Sequence, residues 1–199
     1  MISCKRSRII AGSLTTAALM TAIASPAMAH VGDHTHSTFF TGFLHPLGGL
    51  DHLAAMIAVG LWAAIVGGQR TWIWPTAFVG AMVIGGILGH SGIALPMVEP
   101  AIAASVVVLG LAIAVAFKAP TTIGVALIAL FGMYHGHAHG AEAPEGSWLG
   151  YAVGFVVATA LLHAVGVGAG QFLKSDSALK AARVVGGATA ALGLVLLVQ

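Results

Sequence analysis

The hydrophobic and polar positions of the chain divide it into six long apolar stretches separated by short polar connectors. Each stretch is long enough, or nearly so, to cross a hydrocarbon core of about 30 Å as a helix. Backbone polar groups in lipid must be paired within the segment, which favours helices. The six predicted spans are residues 39–66, 72–90, 97–117, 121–137, 148–172 and 178–198. We therefore expect an all-α integral membrane bundle of six transmembrane helices, forming one domain over residues 39–199.

A different pattern precedes the first span and predicts a cleavable signal peptide over residues 1–29. Its basic start, apolar run and small-x-small cleavage site are Lys5, Arg6 and Arg8, residues 9–24, and Ala27-Met28-Ala29. The alternative is an uncleaved first helix, but the apolar run is short and Ser25-Pro26 interrupts it. Cleavage would leave residues 30–38 as a histidine-containing periplasmic segment and would remove Cys4, the only cysteine of the chain.

The composition agrees with a membrane setting. Charged residues make up 7% of the chain and hydrophobic residues 58%, whereas soluble domains carry roughly 25% charged residues. The 27 glycines suit helices that pack closely in lipid through small residues. The formal net charge of +2 gives no reason to expect a nucleic-acid partner.

The charges of the connectors predict the orientation of the spans. The basic residues beyond the signal follow spans one, three and five, and they are Arg70, Lys118, Lys174, Lys180 and Arg183. The other side carries the acidic residues Asp33, Glu99, Glu142 and Glu145. Because Lys and Arg favour cytoplasmic loops, we expect a multi-pass protein of the bacterial cytoplasmic (inner) membrane with both mature termini in the periplasm.

The first span contains the polar string His45-Pro46-Leu47-Gly48-Gly49-Leu50-Asp51-His52. Ionisable groups inside a bilayer are costly and mark functional sites by default. On a straight helix the backbones of His45 and His52 would lie about 10 Å apart, too far to share an ion with bonds of about 2 Å. Pro46 and the glycine pair predict a break in the helix that removes this obstacle. Met56, one turn beyond His52, is a candidate soft contact.

The fourth span ends in a second group of histidines. His135 and His139 have the i, i+4 spacing that places both on one helix face, where they can grip one metal ion. A ridge of small residues at the same spacing, Gly132, Gly136 and Gly140, predicts close helix packing. His137 points the other way, so we expect it to be solvated or to serve a second site.

Together these residues predict a metal pathway that opens on the periplasmic side. Because the mature chain lacks cysteine, its ligands must be nitrogen, oxygen or methionine sulfur. The candidate metal ligands are His45, Asp51, His52, His135, His139, His30, His34, His36, His90, His137 and His163. His90 and His163 taken singly are equally well explained as packing residues, and residues 30–36 as a solvated, disordered arm.

The string from His45 to His52, with Tyr134-His135-Gly136-His137-Ala138-His139-Gly140, resembles the two histidine motifs of the HupE/UreJ family of hydrogenase and urease accessory proteins. His163, followed by Gly166, resembles the histidine of that family's fifth helix. The resemblance implies a permease, not an enzyme, with Ni²⁺ or Co²⁺ as transported substrate and no prosthetic group. It further implies an indirect link to hydrogenase or urease maturation or to cobalamin synthesis. A homo-oligomer remains open.

The sequence contains no GxxxxGK[ST] phosphate-binding loop, so we expect a facilitator or secondary transporter rather than an ATP-driven pump. Protonation of histidine in acid should compete with the metal.

Two other functions stay open. Gly89-His90-Ser91-Gly92 resembles the GxSG box of rhomboid proteases, with His163 as the base for Ser91. The histidines would also suit a membrane redox subunit that binds haem or another metal.

Overall fold

The computed structural model describes residues 38–68, 71–144, 147–173 and 175–199 of the 199-residue chain. These residues form seven helices and no strand. The helices are α1 (Thr38–Gly48), α2 (Leu50–Val66), α3 (Ile73–His90), α4 (Val98–Ala114), α5 (Thr121–Ala141), α6 (Trp148–Gln171) and α7 (Asp176–Leu197). The signal peptide and nearly all of the histidine segment lie outside the described residues, and both stay predictions.

The first predicted span is broken between α1 and α2, which meet at an angle of 84°. Pro46 lies in the last turn of α1 and offers no backbone N–H. Gly49 then adopts an extended conformation, with φ −105° and ψ 124°, before α2 begins. The break predicted from the proline and the glycine pair is therefore present, and it redirects the chain between His45 and His52.

α3 and α5 run parallel and touch backbone to backbone. Space for a side chain is missing at Gly132, Gly136 and Gly140, where a Cβ would collide with the backbones of Phe78, Met82 and Gly86 respectively. The residue numbers of the three contacts increase in the same direction along both helices, as parallel packing requires. The predicted small-residue ridge of α5 is therefore the surface on which α3 packs.

The directions of two other helix pairs define the two ends of the bundle. α2 and α6 are also parallel, since a Cβ at Gly60 would meet the backbone of His163 and one at Gly170 would meet Ala64. α4 and α7 are antiparallel, with Gly110 and Gly193 of the two helices in contact with Ala190 and Val107. We name the end where α2 stops and α3 begins the basal end. The end where α5 stops and α6 begins is the cluster end.

By length and hydropathy, three helices are clear candidates to span a membrane: α3, α6 and α7. The broken pair α1–α2 passes the same test when taken as one span, and α4 is an apolar helix of 17 residues. α5 is 21 residues long, but the histidines of its last turns make it less apolar. The described chain is therefore all-helical with membrane-like helices at nearly the predicted positions, and the number of six spans stays a prediction.

Candidate metal centre

Three possible ligands meet where α1 and α5 end. His45 is in the last turn of α1, His139 is in the last turn of α5, and Glu142 is the C-cap of α5. One ligand atom from each lies within 4.8 Å of the other two. Ligands that share one ion through bonds of about 2 Å lie up to about 4 Å apart. A small movement therefore suffices to bring these three atoms around a cation.

This trio leads from the surface into the protein. The exposed fraction is 55% for the side chain of Glu142 and 28% for that of His45, and His139 is only 3% exposed. The Nε2 atom of His45 lies 3.4 Å from Oε2 of Glu142. The hydrogen bond from His45 lowers the pKa of Glu142, although partial burial opposes the shift. Glu142 therefore keeps its negative charge in more acidic solution than a free glutamate does, which favours the approach of a cation.

Asp51 orients the ring of His52 at the start of α2. Its Oδ1 atom accepts hydrogen bonds from the backbone N–H of His52 and from Nδ1 of the same residue, each at 2.8 Å. Because a carboxylate only accepts, Nδ1 carries the hydrogen and Nε2 presents its lone pair. Nε2 of His52 is buried and has no hydrogen-bond partner among the described residues. A carboxylate behind an imidazole is the usual arrangement for a metal-binding histidine.

Ser105 of α4 likewise orients the ring of His135 through a hydrogen bond, but at the other ring nitrogen. The hydroxyl of Ser105 donates its only hydrogen to the carbonyl of Ile102 at 2.6 Å. Its contact of 3.0 Å with Nε2 of His135 therefore has the histidine as donor. The lone pair of His135 is then on Nδ1, which is buried and without a partner within the described part of the chain.

His139 joins the two groups. Its ring centroid lies 4.6 Å from that of His45 and 4.4 Å from that of His52. The ring of His52 continues the series to His135 at 4.9 Å. Neither ring nitrogen of His139 has a hydrogen-bond partner among the residues described. Four imidazoles and two carboxylates thus form one assembly, which we name the histidine cluster: His45, Asp51, His52, His135, His139 and Glu142.

The histidine cluster has the chemistry of a site for a borderline divalent transition metal. Neutral imidazole suits nickel, cobalt, copper and zinc, and carboxylates supply charge to balance the cation. The break after α1 makes the cluster geometrically feasible, because it lets His45 and His52 approach His139 from two directions. The five residues singled out in the two sequence motifs are therefore brought together.

The structure does not bring the remaining candidate ligands into the cluster. His90 is exposed and stacks on Trp148, with centroids 4.7 Å apart and ring planes 7° from parallel. His137 bonds through Nε2 to the carbonyl of Ile93 at 2.7 Å and is 7% exposed. The expectation that His137 is solvated is therefore wrong, because the loop after α3 covers it. His163 is buried elsewhere in the bundle, and His30, His34 and His36 lie outside the described residues.

The structure offers no support for a serine protease dyad. The hydroxyl of Ser91 donates to the carbonyl of Ile87 at 2.7 Å, as is usual at a helix end. Neither ring nitrogen of His163 has a hydrogen-bond partner in the described segments, so no contact with Ser91 exists there.

Two members of the site were missed from the sequence as functional residues. Glu142 follows His139 by three residues, a spacing that places both on one helix face, and that spacing was the available signal. Ser105 is an isolated hydroxyl within the apolar helix α4, and only its tertiary contact reveals its role.

Comparison with known proteins identifies the family of the chain. The family model described as HupE / UreJ protein matches residues 18–196. The chain belongs to the HupE/UreJ family. This HupE/UreJ chain is 46% identical to Protein HupE of Rhizobium leguminosarum bv. viciae over 186 aligned residues. The alignment covers 93% of this chain and 97% of that protein. No solved structure matches it. The family match includes every residue of the histidine cluster.

Proposed function

We propose that this HupE/UreJ chain is a permease that takes up a divalent transition metal, Ni²⁺ or Co²⁺, across the bacterial cytoplasmic membrane. The histidine cluster is the site that receives the cation. The donor set fits both metals, and the choice between these and other divalent metals rests on what the family resemblance implies. A role in supplying nickel enzymes such as hydrogenase and urease, or cobalamin synthesis, follows from the same implication.

The observation that carries the proposal is the meeting of His45, His139 and Glu142 with ligand atoms within 4.8 Å. His45 comes from α1 and the other two from the end of α5, and the break after α1 lets His52 approach His139 as well. Behind them, His52 and His135 present lone pairs that their hydrogen-bond partners have already oriented. A cation that sheds water at the exposed Glu142 would therefore find imidazoles at increasing depth.

The proposed orientation places the cluster end in the periplasm and the basal end in the cytoplasm, with six crossings in which α1 and α2 together form the first. Parallel packing of α2 on α6 and of α3 on α5 supports this alternation. Lys118 lies beyond the C-terminal end of α4, and the guanidinium of Arg183 donates to the carbonyl of Ala114 there. The proposed cytoplasmic face is thus the basic one, as the positive-inside rule requires.

The membrane potential suffices to drive the proposed uptake. Moving one elementary charge down the potential releases about 2.3 kcal/mol per 100 mV, so a divalent cation entering a negative cytoplasm releases about 4.6 kcal/mol per 100 mV. The chain therefore needs no phosphate-binding loop of its own. It acts as a facilitator or secondary transporter.

Uptake of radioactive nickel and cobalt by cells that express the chain tests the proposal. Asp51→Ala, His52→Ala and Glu142→Gln should each lower uptake about 10- to 100-fold, because each removes a ligand or the group that orients one. His90→Ala is the matched control, since His90 is exposed and stacks on Trp148, which is not a member of the cluster. Wild-type uptake by all three cluster variants, at equal abundance in the membrane, would refute the proposed site.

A further inference from the structure

His163 is a buried imidazole that the histidine cluster does not use. It lies in α6, is 1% exposed, and neither of its ring nitrogens has a hydrogen-bond partner in the described part of the chain. Buried polar side chains are nearly always hydrogen-bonded, so an unpaired one calls for an explanation such as a bound ion. The ring lies perpendicular to Phe78, with centroids 5.0 Å apart. Even if one N–H points at the face of Phe78, the other nitrogen and its lone pair stay free.

The ring of Phe78 contacts both His163 and the cluster. Its centroid lies 5.5 Å from that of His135 and 5.0 Å from that of His163. Along α6, His163 follows Phe155 by eight residues, or about 12 Å of helix, and Phe155 contacts His139 at 4.0 Å. His163 is therefore displaced towards the basal end.

A second aromatic layer lies beyond Phe78 on the basal side. Trp74 precedes Phe78 by one helical turn and packs against Trp62, with ring centroids 4.5 Å apart. Both indoles are almost fully buried. Trp74 also lines a cavity of about 510 Å³ that is bounded by the end of α2 and the start of α5. The order from the cluster end is thus His135, Phe78, His163 and the Trp62–Trp74 pair, followed by this cavity.

We propose that His163 is a second binding position for the transported divalent metal, held between the Phe78 ring and the Trp62–Trp74 pair. This inference rests on the proposed function. The metal reaches His163 from His135 when Phe78 moves aside, and it leaves through the basal cavity when the tryptophans part.

Two neighbouring groups make the position suitable for a borderline metal. Met56 and Thr159 are fully buried, and the hydroxyl of Thr159 donates to the sulfur of Met56 at 3.4 Å. Thr159 precedes His163 by one turn of α6, so the hydroxyl and the imidazole share a helix face. A thioether, a hydroxyl and an imidazole are weaker ligands than the cluster provides, which suits a position that must release its ion.

The test separates binding from transport in the purified full chain. The variants are His163→Leu, which keeps the volume without a ligand, and His163→Gln, which keeps polarity. His90→Leu is the control, and His52→Ala reports on the cluster. Binding is measured from the absorbance of added Co²⁺ in detergent, and transport from initial Co²⁺ uptake into proteoliposomes. A monodisperse elution profile is required of each variant before it is compared.

We expect both His163 variants to bind Co²⁺ at the cluster with wild-type affinity and to transport it at least about tenfold more slowly. His90→Leu should keep both properties, whereas His52→Ala should lose both. Wild-type transport by either folded His163 variant would overturn the inference. Loss of cluster binding in both would overturn it as well, because His163 would then only support the cluster. The proposed function fails separately, if His52→Ala still binds and transports.

Discussion

At the scale of single residues, hydrogen bonds decide which nitrogen of each imidazole is available. Asp51 accepts a hydrogen bond from Nδ1 of His52, and Ser105 accepts one from Nε2 of His135. The two free lone pairs are therefore set by residues that need not touch the metal. Supporting contacts of this kind affect affinity nearly as strongly as the ligands themselves.

Ser105→Ala tests this point. The variant leaves the Nε2 hydrogen of His135 without an acceptor and lets the ring rotate or change tautomer. We expect the metal concentration for half-maximal uptake to rise about tenfold, with the maximal rate less affected. Ser105→Thr keeps the hydroxyl and should stay near wild type. An unchanged concentration dependence in Ser105→Ala would show that His135 is held by other contacts.

The residue scale is also where the sequence was least informative. The motif histidines could be selected because ionisable groups are rare in apolar spans. The i, i+4 spacing also separated His137 from His135 and His139, but it did not predict that His137 bonds to the backbone of Ile93. Which face of α5 meets α1 and which meets the loop after α3 depends on tertiary packing. Ser105 was missed as a functional residue for the same reason, whereas Glu142 was missed although its spacing from His139 offered a signal.

At the scale of elements, the break between α1 and α2 controls the site. Gly48 and Gly49 are adjacent but not equivalent. A Cβ at residue 49 would lie 2.7 Å from Oδ1 of Asp51 and 3.2 Å from Nδ1 of His52, whereas a Cβ at residue 48 would have no neighbour within 4 Å. Gly49 therefore provides the space in which the carboxylate meets the imidazole.

Gly49→Ala should push the carboxylate of Asp51 away from His52 and weaken Co²⁺ binding by the purified protein about tenfold or more. The fold should persist, because the atom displaced is the end of a side chain. Gly48→Ala serves as the neighbouring control and should bind Co²⁺ normally. Isothermal titration of both variants makes the comparison. Equal affinities would contradict the role given to Gly49.

The element boundaries were largely predictable, since each apolar stretch ends at proline, glycine or charged residues. The break was predicted because Pro46 and the glycine pair leave helical geometry few ways to continue. The angle of 84° could not be predicted. It depends on how α1 packs across α6, where Gly42 and Gly154 contact the opposite backbone.

At the scale of the whole molecule, the proposed orientation makes the two ends distinguishable by chemistry. The chain has one cysteine, Cys4, in the predicted signal peptide. A cysteine placed at Pro144 at the cluster end should react with a membrane-impermeant maleimide in intact spheroplasts. One placed at Lys118 at the basal end should react only after permeabilisation. Labelling in the reverse order would invert the topology and with it the proposed direction of uptake.

The backbone contacts within α3–α5 and α2–α6 leave no room for a Cβ between the paired helices, so we expect each pair to move as one rigid body. One body carries His135 and His139, and the other carries Asp51 and His52. A cation bound by donors from both bodies would connect them across the interface between the two helix pairs. Because the glycines hold each pair together, we expect the main motion of the protein to occur at the interface between the two pairs. A rocking motion at this interface would link binding and release of the cation to opening of the site towards one side of the membrane or the other.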